Sequence, residues 1–169
     1  MHREDAEALV FIDFEASGLG PDSWPIEVGL SWIEPGAVWT WASLIRPIPD
    51  WSMEAWDPFS AEVHDIPLEE LENAPLARDV ADEAAKLMAG KTVCSDAPSF
   101  DERWAKKLFL ELPQVVPLRI VDTYNAFDYV LTEAGMDQAY EKLSQSTAPH
   151  RAGPDAERYA RALLHGLKY

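Results

Sequence analysis

The chain has 169 residues, of which 47 % are hydrophobic and 26 % charged, a composition typical of one ordinary globular domain. Its 14 basic residues against 30 acidic ones leave a net charge of −16, which argues against tight, non-specific binding of long nucleic-acid duplexes. A single cysteine excludes a disulfide framework and a multi-cysteine zinc site. No apolar run is long enough for a membrane span and the first residues lack a secretory-signal pattern, so we expect one cytoplasmic domain over residues 1–169.

The first half of the chain predicts three β-strands. Residues 9–12 form a short continuous apolar run, as in a strand that is buried on both faces. Two further apolar runs, 26–33 and 37–45, flank the turn sequence Glu34-Pro35-Gly36, which predicts an antiparallel hairpin. The following residues 46–66 are rich in tryptophan and proline, and we expect this segment to be irregular.

The second half alternates between predicted helices and strands. A helical stripe runs from Pro75 to Gly90, and a second one, with apolar residues at every fourth position, follows Pro98. Further elements are predicted as strands at 91–95 and 118–121 and as helices at 123–134, 137–145 and 154–167. Strands in a run followed by this alternation predict an α/β fold, a mixed five-stranded sheet with helices on both faces.

Two acidic residues end the first predicted strand. Asp13 and Glu15 lie two positions apart, so in a strand both side chains point to the same face. Unpaired carboxylates this close to a core repel each other, and a divalent cation that takes oxygen ligands from both would remove that cost. The alternative is that both side chains are exposed beyond the edge of the sheet. The pair by itself leaves these two interpretations open.

Three more polar residues stand near predicted helix starts. Asp101 falls in the first turn of a predicted helix, where the helix dipole favours an acidic residue whatever its function. His150 is predicted in a loop and Asp155 near the start of the last helix, and each alone is typical of an ordinary surface position. Their significance depends on their combination with Asp13 and Glu15.

The combined order of these residues resembles the DEDDh exonucleases. It runs Asp-x-Glu after the first strand, Asp after Phe at a helix start, and His-x4-Asp before the final helix. That superfamily includes RNase T, oligoribonuclease and the proofreading subunit of the bacterial replicative polymerase, and the resemblance covers residues 9 to about 165. Two further segments, Pro25-Ile26-Glu27-Val28-Gly29 and Val63-His64-Asp65-Ile66, are similar to the family's second strand and to its His-Gly-Ile-like segment.

The resemblance implies a ribonuclease H-like fold and 3′ to 5′ hydrolysis of single-stranded ends, with release of nucleoside 5′-monophosphates. By match, His150 would be the general base, since the unperturbed pKa of histidine, roughly 6.5, lets it accept a proton from the attacking water. Two Mg²⁺ or Mn²⁺ ions, as in two-metal catalysis, would be held by Asp13, Glu15, Asp101 and Asp155. The implied contacts with the substrate are Phe14, Ala16, Ser17, Gly18 and His64.

Some of these positions have ordinary alternatives, and others depart from the family pattern. Gly18 could be a plain turn residue, and His64 could be a satisfied loop histidine. Ala16 replaces the usual Thr, Ala97 stands where Asn is frequent, and Asp65 replaces a common Gly. These departures leave the implied metal ligands intact and change the details of substrate binding.

Six of the seven tryptophans lie between residues 24 and 56. Aromatic rings stack on bases, but most of these side chains are expected in the core or in an interface. Trp51 and Trp56, in the segment near His64, are the better candidates for contact with a base. An exposed aromatic patch would also suit self-association as a homodimer.

We therefore expect a single-domain 3′–5′ exonuclease that uses two Mg²⁺ or Mn²⁺ ions. The acidic charge favours short or single-stranded substrates held at the 3′ end, with RNA ahead of DNA and no membrane partner. Two alternatives stay open. One is a non-catalytic acidic module of the same fold that binds a protein partner, and the other is a proofreading subunit that is active only in a polymerase complex.

Overall fold

The computed structural model describes residues 3–169, which form a five-stranded sheet. Its strands are β1 (Leu9–Ala16), β2 (Pro25–Glu34), β3 (Ala37–Leu44), β4 (Thr92–Ser95) and β5 (Ile120–Asp122). Their order across the sheet is β3-β2-β1-β4-β5, with antiparallel pairing within the first three and parallel pairing of β4 with β1 and β5. The predicted mixed five-stranded sheet is confirmed, although β5 begins later than predicted.

Eight α-helices surround the sheet within the described residues. They are α1 (Arg3–Glu7), α2 (Pro58–His64), α3 (Leu68–Leu71), α4 (Ala77–Met88), α5 (Pro98–Phe109), α6 (Thr123–Val130), α7 (Glu133–Ser144) and α8 (Ala152–Gly166). The last five correspond to predicted helices, with boundaries that differ by a few residues. Within residues 3–169, no helix combines the length and the apolar character needed to cross a bilayer.

The segment predicted to be irregular contains a helix instead. Asp57 caps α2, because its carboxylate accepts a hydrogen bond from the N–H of Phe59 at 3.0 Å. Pro58 fits the first helical position, where the missing N–H of proline costs nothing. The expectation for residues 46–66 is therefore wrong over Pro58–His64, since two turns of helix carry too few apolar repeats to produce a periodic pattern.

Alternate side chains of β1 pack into two separate cores. Val10 and Ile12 face α4 and α5, whereas Leu9 and Phe11 face α1, α6, α7 and α8. Successive residues of a strand point to opposite faces, so the two acids at the end of β1 continue the row of Leu9 and Phe11 on the α8 side. The prediction of helices on both faces of the sheet is confirmed.

Two glycines allow α8 to lie close against the sheet. A Cβ atom on Gly29 of β2 would lie 2.2 Å from the backbone of Ala152, and one on Gly153 would lie 2.8 Å from the Cβ of Ala42 in β3. A larger residue at either position would push the start of α8 away from the strands. Gly29 pairs with Asp13 in the β1–β2 ladder, so this close contact holds the first turn of α8 over the end of β1.

Three tryptophans contact one another in the core. Trp24 stacks on Trp51 and also contacts Trp56, with ring centroids 5.8 Å apart in both pairs. Trp51 is only 6 % exposed, so the prediction that it contacts a base is wrong: its ring fills the core beside Trp24. Trp56 is half-buried, and Trp39 on the edge strand β3 is 53 % exposed.

Candidate active site

A cleft at the carboxyl ends of β1 and β4 brings together the charged residues singled out in the sequence. Asp13 and Glu15 lie at the end of β1, Asp101 lies in the first turn of α5, and His150 and Asp155 flank the start of α8. All five line the same cleft. Residues from three distant parts of the sequence therefore meet at one end of the sheet.

The turn after β4 holds Asp101 in place. Asp101 is 2 % exposed, and its carboxylate accepts a hydrogen bond from the hydroxyl of Ser95. The same Ser95 oxygen accepts the N–H of Ala97 at 2.8 Å, which shapes the turn that leads into α5. The backbone of Phe14 in β1 also lies near enough to the Asp101 carboxylate to lower its pKa, against the larger effect of burial. Asp101 is thus tied to both strands that end at the cleft.

The acidic side chains form two overlapping groups. Ligand oxygens of Asp13, Glu15 and Asp155 lie within 4.8 Å of one another, and so do those of Asp13, Asp96 and Asp101. Asp13 belongs to both groups. Because hard divalent cations take carboxylate oxygens as ligands, each group has the donor chemistry to hold one cation.

Asp96 was not among the metal ligands predicted from the sequence. It follows β4 directly, and the hydroxyl of Tyr159 donates a hydrogen bond to its Oδ2 atom at 2.7 Å. The available signal was its position immediately after a predicted strand. That position indicates that Asp96 lies near Asp13 only once β1 and β4 are known to be parallel neighbours, because their carboxyl ends then meet at the same edge of the sheet.

The electrostatics of the cluster favour a bound cation. Burial raises the pKa of Asp13 well above its usual value, and the neighbouring charges of Asp101 and Glu15 raise it further. Burial, followed by the charge of Asp155, raises the pKa of Glu15 to about 8, and burial raises the pKa of Asp101 to about 7. Carboxylates that hold protons this firmly fit a divalent cation, which would replace the protons and remove the repulsion.

An ion pair between a buried glutamate and a partly exposed arginine anchors the start of α8 to β2. Glu27 is 4 % exposed and accepts hydrogen bonds from Arg151, at 3.0 Å from Nε and 2.7 Å from Nη2. It also accepts the N–H of Ala152 at 2.9 Å, one of the unpaired donors at the helix start. Glu27 was predicted only as part of a strand segment and Arg151 had no predicted role, because no local pattern links residues 124 positions apart.

His150 is exposed at the mouth of the cleft, in the loop that precedes α8. Its backbone adopts the left-handed conformation, with φ of 55°. The next residue, Arg151, donates its backbone N–H to Oδ2 of Asp155 at 3.1 Å, which holds this part of the loop beside that carboxylate. Within the described residues the imidazole makes no hydrogen bond, so its nitrogens are available to other groups.

The predicted substrate contacts in the first motif occupy different environments. Phe14 lines the cleft, and so does Leu19, which the sequence analysis did not single out. Ala16 is buried, and so is Ser17, whose hydroxyl accepts the N–H of Trp24 at 3.0 Å. Gly18 lines a neighbouring depression rather than the cleft itself. The substrate contacts of these residues stay predictions.

His64 lies in a buried position at the end of α2 and does not line the cleft. It is 3 % exposed, its ring contacts Trp56, and its Nδ1 accepts the N–H of Ile66 at 3.1 Å. That bond assigns the ring proton to Nε2, which has no partner within the described residues. Burial lowers the pKa of His64, although the charge of Glu27 opposes the shift.

A family model matches most of the chain, and solved structures of exonucleases share its fold. The exonuclease model of the RNase T family matches residues 10–163, and no curated protein matches the chain. The nuclease domain of 3′hExo, a DEDDh family member bound to rAMP, has a TM-score of 0.67 and 16 % identity over 95 % of this chain and 91 % of that one. E. coli ExoI in complex with single-stranded DNA has a TM-score of 0.64 and 14 % identity over 94 % and 39 %. S. pombe Pop2p in its Mg²⁺- and Mn²⁺-bound form has a TM-score of 0.61 and 17 % identity over 95 % and 82 %.

The three structural likenesses establish the ribonuclease H-like fold of these exonucleases. The chain spans 39 % of the length of the E. coli ExoI chain, so it corresponds to one part of that larger protein. The family match extends from β1 into the last turns of α8 and so includes every element that lines the cleft. The chain therefore belongs to the RNase T family of DEDDh exonucleases.

Proposed function

We propose that the chain is a metal-dependent exonuclease that removes nucleoside 5′-monophosphates from the 3′ end of short or single-stranded nucleic acid, with RNA preferred over DNA. The observation that carries the proposal is the meeting of Asp13, Glu15, Asp101 and Asp155 with His150 in one cleft. This arrangement occurs in a member of an exonuclease family, where a cluster of carboxylates beside a histidine suits hydrolysis of a phosphodiester.

Two Mg²⁺ or Mn²⁺ ions fit the donors and the charge of the cleft. Asp13, Glu15 and Asp155 would hold one ion, and Asp13 and Asp101 would hold the other, because Asp13 is shared by both groups of ligand oxygens. Four carboxylates formally balance the charge of two divalent cations. When bound, the ions would stabilise the attacking and the leaving oxygen of an in-line displacement at phosphorus.

His150 is proposed as the general base. Its imidazole is exposed at the cleft and makes no hydrogen bond within the described residues, so a nitrogen is free to accept a proton from the attacking water. Burial raises the pKa of Asp155, and the nearby charge of His150 is among the interactions that oppose this rise. The same attraction would stabilise the imidazolium that forms when His150 takes the proton.

The lining of the cleft suits a single-stranded end better than a duplex. Phe14, Leu19 and Phe100 supply apolar contacts, and Arg158 is the one arginine or lysine among the described residues that line it. With a net charge of −16, the protein has no excess of lysine and arginine side chains that could displace counterions from a long duplex. Affinity for the strand would therefore come from the bound ions and from stacking against bases.

The preference for RNA is proposed to involve His64. The Nε2–H group of His64 is a buried donor without an acceptor among the described residues, and such a group is costly unless a ligand supplies the acceptor. Because His64 does not line the cleft, this contact would require the end of α2 to shift when the strand binds. A terminal ribose offers two neighbouring hydroxyl oxygens, whereas a terminal deoxyribose offers one. Gly18, which has no side chain to block the approach of a nucleotide, is proposed as the adjacent backbone contact.

The cellular setting and the assembly are proposed from composition and exposure. A chain with a single cysteine is typical of the cytoplasm, where thiols stay reduced. Trp39 is largely exposed on the edge strand β3 and would suit contact between two copies in a homodimer. Sedimentation of the wild-type chain and the Trp39→Ser variant at the same concentration tests the dimer, which we expect only in the wild type.

The test of the function is the degradation of 5′-labelled RNA and DNA oligomers with Mg²⁺, Mn²⁺ or EDTA. We expect a ladder that shortens from the 3′ end, is faster on RNA, and is absent with EDTA and in the Asp13→Asn variant. Asp128→Asn is the matched control, because Asp128 is an exposed acid on α6 outside the cleft. No shortening of either strand with any metal would overturn the proposal and favour a partner-binding module or a subunit that needs its polymerase.

A further inference from the structure

The loop between α7 and α8 carries His150 but is nearly free of internal contacts. Within the described residues, positions 147–150 make no hydrogen bond. His150 is held in a left-handed conformation, which a residue other than glycine keeps only when its surroundings impose it. The location of the imidazole therefore depends on how the two ends of the loop are attached.

The far end of the loop is attached through Arg151. Its side chain pairs with the buried Glu27, and its backbone N–H bonds the carboxylate of Asp155. These contacts attach the residue directly after His150 to β2 and to the first turn of α8. They leave the beginning of the loop unconstrained.

The near end of the loop is attached through Arg158, one turn along α8 from Asp155. Its Nε donates to the hydroxyl of Ser146 at 3.0 Å, and its Nη2 donates to the carbonyl of the same residue at 3.2 Å. Its Nη1 lies 3.3 Å from Oδ1 of Asp155. One guanidinium thus joins the start of the loop to a carboxylate of the metal cluster, and only the planar fork of arginine can direct donors to all three acceptors.

We propose that Arg158 is a positioning residue for His150, which rests on the proposed function. Arg158 fixes the start of the loop while Arg151 fixes its end, so the segment between them presents the imidazole to the cleft in one place. Asp155 is held on both oxygens, by Arg151 on Oδ2 and by Arg158 on Oδ1. The base and this metal ligand are therefore placed relative to each other by the same two arginines.

The experiment compares Arg158→Gln and Arg158→Lys with the matched control Arg161→Gln. Arg161 lies on the same helix, is exposed and, among the described residues, pairs only with Glu157, away from the cleft. We expect Arg158→Gln to lower kcat by roughly tenfold or more while KM changes by less than about threefold, because the base is misplaced and the strand is still bound. Arg158→Lys keeps the charge and loses the bonds to Ser146, so we expect it to restore little of the rate.

Two further measurements separate positioning from a role in stability or metal binding. Thermal unfolding should change little in Arg158→Gln, and Mn²⁺ affinity by calorimetry should fall by less than the rate does, because Arg151 still holds Oδ2 of Asp155. The ring resonances of His150, assigned with a His150→Asn variant, should move in Arg158→Gln towards the values of a flexible histidine and stay unchanged in Arg161→Gln. This spectrum is recorded without substrate, so it tests the loop even if the wild-type chain has no exonuclease activity and the proposed function fails.

The proposal is overturned by any of three results. The first is full activity of Arg158→Lys, which would reduce the role of Arg158 to its charge. The second is a loss of rate that saturating Mn²⁺ restores, which would make Arg158 a support for metal binding alone. The third is an unchanged His150 spectrum in Arg158→Gln.

Discussion

The backbones of Gly29 in β2 and Ala152 in α8 pack so closely that a Cβ atom added to Gly29 would lie 2.2 Å from the carbonyl group of Ala152. This contact sets the distance between α8 and the sheet, and therefore how close the carboxylate of Asp155 lies to that of Asp13. Close packing of this kind leaves no room for relaxation, because both partners are main-chain atoms of regular elements. The geometry of the carboxylate cluster thus depends on a residue that bears no functional group.

Gly29→Ala should therefore separate the metal ligands. We expect a loss of stability of about 1–3 kcal/mol from overpacking, together with weaker Mn²⁺ binding and a lower rate of hydrolysis. Chemical denaturation and calorimetry measure the first two effects. Gly20→Ala is the control, since a Cβ on Gly20 meets nothing within 4 Å and its backbone is not left-handed. Equal Mn²⁺ affinity in Gly29→Ala and wild type would contradict the role of this contact.

Glu27→Gln should loosen the start of α8. The glutamine keeps an acceptor for Ala152 but turns an amide donor towards Arg151, which itself offers only donors. We expect a loss of about 1–3 kcal/mol in unfolding free energy, the cost of leaving such a buried polar group unpaired. Urea titrations measure it, with Glu34→Gln at the exposed end of β2 as control. If Glu27→Gln is as stable as Glu34→Gln, the interactions of Glu27 with Arg151 and Ala152 do not contribute to stability.

His150→Ala should abolish most of the rate without weakening metal binding. Positioned general bases contribute roughly 10²–10⁴-fold to a rate, so we expect a loss of that order at neutral pH. His150 belongs to neither group of ligand oxygens, so Mn²⁺ affinity should stay at the wild-type value. Single-turnover kinetics at saturating Mn²⁺ make the comparison, with His165→Ala, outside the cleft, as control. Wild-type kinetics in His150→Ala would refute the base assignment.

The metal-free protein should become less stable as pH rises. Glu15 and Asp101 have pKa values raised to about 8 and about 7, so the folded chain binds their protons more tightly than the unfolded chain does. Their contribution to stability is complete below their unfolded pKa values, near about 4, and is lost as pH rises through about 7 to 8. Urea unfolding in EDTA between about pH 5 and pH 8 should show the decline, and Mn²⁺ should reverse it.

An unfolding free energy that does not change with pH in EDTA would contradict this account of the carboxylate cluster. Asp13→Asn provides the internal check, because it removes a third carboxyl group whose own pKa is raised well above its usual value by burial and by the charges of Asp101 and Glu15. The unfolding free energy of Asp13→Asn should therefore fall less steeply with rising pH than that of the wild type. Asp128→Asn should follow the wild-type profile, since Asp128 lies on α6 away from the acids of the cleft.

Trp51→Ala should destabilise the fold, whereas Trp39→Ala should not. Trp51 stacks on Trp24 within the core, and removal of a buried aromatic ring costs about 3–5 kcal/mol. Trp39 is largely exposed, and a surface substitution costs roughly 0.5 kcal/mol or less. Thermal unfolding of the two variants measures the difference. Similar unfolding midpoints for both variants would show that Trp51 is not a core residue in solution.

Local patterns were enough to predict most of the elements and to identify the acidic residues of the site. Apolar periodicity is a local property, so five strands and five long helices could be predicted, and the order of Asp13, Glu15, Asp101, His150 and Asp155 indicated the family. The helix α2 escaped prediction because two turns carry little periodicity. The burial of Trp51 and His64 escaped it because a composition rich in tryptophan and proline does not reveal which rings face the core.

The contacts that hold the site together depend on how the elements pack in three dimensions. The Glu27–Arg151 pair joins residues 124 positions apart, and the contact of Gly29 with Ala152 depends on the distance between a strand and a helix. Asp96 approaches Asp13 because β4 lies beside β1, an adjacency that neither strand's own pattern contains. Such contacts arise from the packing of preformed elements against one another, and packing is a property of surfaces that a linear pattern does not encode.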